Sequence, residues 1–88
     1  MYLIGDIGNT AIKICLFNNN LKLVKNIKIH KKNLNKNFIN KKLLFLRKYS
    51  PKLRKALFSS VVPNSYKVIK KSIKEITKLN CVELKACN

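Results

Sequence analysis

Apolar and polar positions alternate along the opening of the chain and recur at helical spacing further on. Residues 2–6 form a short, nearly continuous apolar run, which suits a central strand covered on both faces. Gly8-Asn9 interrupts it as a turn, since both residue types tolerate positive φ. Over 11–17, Ile12, Ile14 and Leu16 fall on one face, and Ala11, Lys13, Cys15 and Phe17 on the other, as in a strand. Asn18-Asn19-Asn20 reads as a tight turn. Residues 21–29 alternate again, with a bulge expected around Val24-Lys25. Two hairpins in succession make residues 2–29 an antiparallel meander.

The period then changes. His30 to Asn37 is a polar run and reads as a loop. Ile39, Leu43 and Leu46, with Phe38 and Phe45 beside them, predict a helix over 38–49, closed by Ser50-Pro51 because α geometry is disfavoured before proline. Residues 55–62 read as a buried strand. Pro63 stops it, and Asn64 or Ser65 is expected to cap a helix over 64–79, with Tyr66, Ile69, Ile73 and Ile76 as its apolar stripe. Residues 81–84 form a last short strand. The order βββ-α-β-α-β predicts an α/β fold: one domain over residues 1–88, with a mixed sheet and helices at about 38–49 and 64–79. A chain of this size buries only about 60–65% of the surface its unfolded form exposes, so the core is modest.

Composition adds an extreme charge. Twenty Lys and Arg oppose Asp6, Glu75 and Glu83, for a formal net charge of +17. Such a field attracts polyanions. Yet eighteen of the cations are lysine, and groove-reading proteins lean on arginine forks. Twelve Asn and ten Ile accompany them. This joint enrichment reads as A/T-rich codon usage clothing the surface in solvated lysines. Cys15, Cys81 and Cys87 form no Cys-x-x-Cys and no Cys/His pair at zinc spacing. An odd cysteine count without a basic and apolar leader fits a reducing cytoplasm. No apolar run approaches the roughly 18–20 residues of a membrane span.

The candidate chemistry gathers in Gly5-Asp6-Ile7-Gly8-Asn9-Thr10, which holds the single Asp and both glycines of the chain. Asp6 admits two readings: an Asx-type cap on the turn, or a carboxylate facing a Mg²⁺–phosphate group. In the second, the amides of Gly8, Asn9 and Thr10 and the Thr10 hydroxyl wrap phosphate oxygens, with Gly8 allowing close approach. Lys13 stands ready to add a cation, although any one of so many lysines is by default solvated. Ser59 and Ser60 lie near a strand terminus, where α/β sheets bind ligands, or simply form a strand-to-helix turn. His30 has no acid or Cys near it in sequence and reads as a loop histidine. No Ser-His-Asp set, carboxylate pair or G-x-x-x-x-G-K-[ST] loop is present.

Residues 3–17, with D-x-G-N-T at 6–10 and a lysine at position 13, resemble the opening of type III pantothenate kinases. Phe58-Ser59-Ser60-Val61-Val62-Pro63 resembles the S-S-V-V-P segment of that family, at a fitting distance. The resemblance implies a ribonuclease-H-like lobe of the acetate/sugar kinase, heat-shock ATPase and actin superfamily. It implies a cytoplasmic enzyme of coenzyme A biosynthesis that phosphorylates pantothenate from ATP, with Mg²⁺ and a monovalent cation (K⁺ or NH₄⁺), as a homodimer. Carried over by position, Asp6 serves the metal, and Asp6, Ile7, Gly8, Asn9, Thr10, Ala11, Ile12 and Lys13 form the ATP-binding segment. The later G-x-D-R and D-x-G-T motifs of the family do not occur in these 88 residues. The expectation is therefore an N-terminal lobe without its second lobe or general base, inactive alone. The rival reading is a basic nucleic-acid-binding module on the same kind of lobe, without nuclease activity.

Overall fold

The computed structural model describes residues 1–84. Cys87 lies outside the described residues. Five strands form one sheet in the order β3-β2-β1-β4-β5. They are β1 (Tyr2–Ile7), β2 (Ala11–Phe17), β3 (Leu23–His30), β4 (Lys55–Ser60) and β5 (Cys81–Leu84). β1, β2 and β3 make the antiparallel meander, while β4 and β5 run parallel to β1 and to one another. Parallel neighbours need crossovers. Here these are α1 (Lys36–Leu43) and α2 (Leu46–Tyr49) before β4, and α3 (Pro63–Thr77) before β5. This is the α/β mixed sheet that the apolar pattern implies, consistent with a ribonuclease-H-like lobe. No helix of the described residues is long and apolar enough to cross a membrane.

One face of the sheet carries the core. Leu3, Ile7, Ile12, Ile14, Leu16, Ile29, Ala56 and Phe58 are buried there against Ile39 and Leu43 of α1, Leu46 of α2, and Tyr66, Ile69 and Ile73 of α3. A hydrogen bond from the Ser72 hydroxyl to Asn40 Oδ1 joins α3 to α1. Phe58 needs room, and Gly5, its register partner on β1, supplies it. A Cβ on Gly5 would stand 2.1 Å from the Phe58 ring. The opposite face has no helix over it among the described residues. Ile4 is 40% exposed there, so β1 is covered on one face and not on two.

Other boundaries moved for local reasons. Asn35 caps α1 by accepting from the Phe38 amide at 2.9 Å, so the helix starts inside the polar run. Tighter i to i+3 bonds at Leu44 and Phe45 divide the expected 38–49 helix in two. Ser50 is helical (φ −49°, ψ −46°) despite preceding Pro51, and its hydroxyl donates to the Thr77 carbonyl at the end of α3 at 3.2 Å. α3 starts at Pro63, with Val62 as cap residue and no capping side chain, so neither Asn64 nor Ser65 has the expected role. It ends at Thr77, and Lys78 follows in the left-handed region at φ 66°. β4 stops at Ser60 and Val61 is 69% exposed, against the buried strand expected over 55–62. The expected bulge is present: Leu16 pairs with Lys25 and Phe17 with Leu23, leaving Val24 unpaired. Leu21 belongs to the hairpin loop, not the strand, at φ 61°.

Candidate functional site

The open face of the sheet is built in rows. Because side chains alternate across a strand and neighbouring strands lie about 4.8 Å apart, register decides which residues stand side by side. Asp6 pairs with Lys13 on β2 and with Ser59 on β4. Lys13 pairs in turn with Lys28 on β3. Lys28, Lys13, Asp6 and Ser59 thus form one polar row, all exposed. The next row towards the start of β1 is Asn26, Cys15, Ile4, Leu57 and Val82, and is largely apolar. Chemistry is therefore confined to the end of the open face where β1 meets the turn.

That turn closes a cleft of about 330 Å³ lined by Asp6, Gly8, Asn9, Thr10, Ala11, Lys13, Lys28 and His30. Three backbone bonds hold its rim. Gly8 N donates to Ala11 O at 3.0 Å, Lys31 N to Thr10 O at 2.9 Å, and Val61 N to Ile7 O at 3.1 Å. The first of these uses up the Gly8 amide, so it is the amides of Asn9 and Thr10 that have no acceptor among the described residues. The turn does this without positive φ at Gly8 or Asn9, contrary to the expectation from their conformational freedom. What Gly8 supplies is clearance: a Cβ there would stand 3.3 Å from the Ala11 carbonyl.

The sequence-derived site residues separate into groups. Asp6, Gly8, Asn9, Thr10, Ala11 and Lys13 share the cleft. Ile7 and Ile12 turn the other way and are fully buried in the core beneath it. Ser59 stands beside Asp6 in the polar row. The Ser60 hydroxyl bonds both the amide and the carbonyl of Val62 at 3.1 Å, which shapes the turn into α3. Two further residues line the cleft: Lys28, which was not singled out, and His30, which was expected to be a loop histidine but ends β3, paired with Ala11. Their signal was available: Asn26, Lys28 and His30 alternate with Ile27 and Ile29, and a hairpin pairing of Ala11 with His30 brings them to the cleft.

Charge at the site is unbalanced. The one ion pair among the described residues is Lys36 to Glu75 at 3.5 Å, away from the cleft between α1 and α3. Asp6 has no hydrogen-bonding or ionic partner among the described residues, and no group of three or more His, Cys, Asp or Glu comes together among them. One free carboxylate, unused amides and adjacent ammonium groups make a site that can accept a metal-bound polyanion but holds no metal by protein ligands alone. The thiol of Cys81, buried under α3, is pushed up to about 11 by desolvation, with Lys70 acting weakly the other way. Its distance from the open face leaves it outside this chemistry. Cys15 is half-buried in the apolar row and free.

A family model described as type III pantothenate kinase matches residues 2–88. A curated type III pantothenate kinase from Pelagibacter ubique (strain HTCC1062) is 40% identical over 88 residues, which is all of this chain. The match spans 36% of that relative's length.

Proposed function

This chain belongs to the type III pantothenate kinase family, and on that premise we propose that its cleft binds the phosphates of Mg²⁺-bound ATP, within an enzyme that phosphorylates pantothenate on the way to coenzyme A. The observation that carries the proposal is the pairing of the unpartnered Asp6 with Lys13 beneath the free amides of Asn9 and Thr10. Mg²⁺ suits such a place because it takes one or two carboxylates and completes its shell with phosphate oxygens and waters. When bound, it neutralises phosphate charge and orients the transferring group.

The residues of this chain do the rest of the binding. The Asn9 and Thr10 amides and the Thr10 hydroxyl donate to phosphate oxygens. Lys13 offsets their charge from the floor of the cleft. Buried Ile7 and Ile12 hold the two strand ends that carry the loop. Positioning and charge stabilisation of this kind are most of what phosphoryl transfer asks of a protein. Ser59, beside Asp6, is assigned to the lining of the same site. The monovalent cation implied by the resemblance is assigned to no residue here.

Pantothenate also needs a base for its hydroxyl. Glu75 is paired with Lys36, and Glu83 pairs in register with core residue Phe58, so no second carboxylate adjoins Asp6 among the described residues. The 88 residues alone are therefore expected to bind without turnover, as the N-terminal lobe of a cytoplasmic, homodimeric enzyme. Calorimetric titration with Mg²⁺ and ATP tests the site. Binding that vanishes in Asp6→Ala supports it, and equal binding by both proteins rejects it. Phosphorylation of pantothenate by the isolated chain would reject the division of labour.

A further inference from the structure

Lys28 stands in the same row as Lys13, on the neighbouring strand and directly opposite it. Like charges facing each other across an antiparallel pair destabilise a sheet. Some other lysines find partners, though many surface lysines do not; what sets this pair apart is that it faces across the strands and lines the cleft. Lys25 lies 4.5 Å over the Phe45 ring, Lys42, Lys48 and Lys70 lie over other rings, and Lys36 reaches Glu75. Lys13 and Lys28 have none of these contacts among the described residues. Both point to the open face, and both line the cleft of Asp6 and the loop. Two ammonium groups beside one carboxylate leave a local excess of positive charge that favours an incoming anion.

We propose that Lys28 is a second phosphate-binding ammonium of this site, and that the Lys13–Lys28 pair makes it select ligands with several phosphates over those with one. The proposal rests on the reading of the cleft as a phosphate site and adds a residue and a specificity to it. Asp6, Lys13 and Lys28 are spaced at about 4.8 Å per strand, so the row extends about 10 Å. A polyphosphate chain running along the row meets both ammonium groups, whereas a monophosphate meets one at a time.

The test is titration of the 88-residue chain with ATP and Mg²⁺, and with AMP, in four variants. Lys28→Gln should bind ATP about tenfold more weakly and AMP nearly as wild type, so the preference for ATP over AMP narrows. Lys28→Arg should retain the preference. Lys22→Gln removes one charge from the same hairpin outside the cleft, and should match wild type. The melting temperature of Lys28→Gln should equal or exceed that of wild type, because a like-charge contact has gone. If Lys28→Gln binds ATP as Lys22→Gln does while Asp6→Ala abolishes binding, Lys28 has no part in a site that is otherwise correct. Lost binding accompanied by a lowered melting temperature would assign Lys28 a structural role instead. Should wild type bind ATP and AMP equally while Asp6→Ala abolishes binding, the selectivity falls and the site stands; should wild type bind neither, both fall together.

Discussion

The two faces of the sheet are made by the same strands and have opposite fates. On the helix side, Leu3, Gly5 and Ile7 of β1 alternate with Tyr2, Ile4 and Asp6 on the open side. The helix side is sealed by α1, α2 and α3, and most of its large apolar side chains are at most 1% exposed. The open side keeps Ile4 and Val82 40% and 52% exposed in one row, and sets the polar row, ending at Leu84 beside Ser59, next to it. Stability is therefore concentrated on one face and ligand chemistry on the other, one residue apart in sequence. A one-residue slip in register would exchange them.

The sharpest way to break this division is from the helix side. Phe58→Ala should cost about 3–5 kcal/mol, the usual range for emptying a buried aromatic site. For a domain of this size that lowers the melting temperature by well over ten degrees in a thermal scan. Gly5→Ala comes next, at about 1–3 kcal/mol, because the new methyl group drives into the Phe58 ring. The pair should be strongly non-additive: Phe58→Leu in the Gly5→Ala background should restore part of the loss, since both changes act on one contact.

Alkaline pH probes the same side more gently. In the unfolded chain the Cys81 thiol ionises near its ordinary value of 9.0, and in the fold at about 11. Between these values the unfolded state loses its proton first, so stability present below about 9 is lost as pH rises towards 11. Cys81→Ala should flatten that part of a melting-temperature profile relative to wild type.

The smallest effects on stability belong to the open side. Ile4→Ser and Val82→Thr should change stability by only about 0.5 kcal/mol, the range of exposed positions away from special features. Their signature should appear in sedimentation, as less self-association at high protein concentration, because contiguous exposed apolar surface drives contact between molecules. A large loss of stability in either variant would mean that the open face is sealed in solution and that the contrast between the faces is false.

Much of this was legible in the order of residues. A continuous apolar run placed β1, alternation placed β2 and β3, and the Ile and Leu spacing placed the helices, because burial leaves a pattern that sequence alone records. The loop stood out for a similar reason, as one Asp and a glycine between two apolar strands. Ends were less legible. The Asn35 cap, the break at Leu44 and the helical Ser50 depend on hydrogen bonds formed by the folded backbone. Gly5 shows the limit best. It stood out as the first residue of the Gly5–Thr10 stretch, yet its missing side chain is needed because Phe58, more than fifty residues later, lies against it.

Local sequence thus determined the strands, the helices and the place of Asp6, since propensity and periodicity act between near neighbours. Tertiary structure decided which residues stand beside that carboxylate. Lys28 and Ser59 reach it through strand pairing, Lys28 by way of Lys13, and pairing is set by register, turn length and the packing of one face. None of these can be read from a residue and its immediate neighbours. The row Lys28–Lys13–Asp6–Ser59 exists only because four separate segments, closed into one sheet, bury their other side chains together.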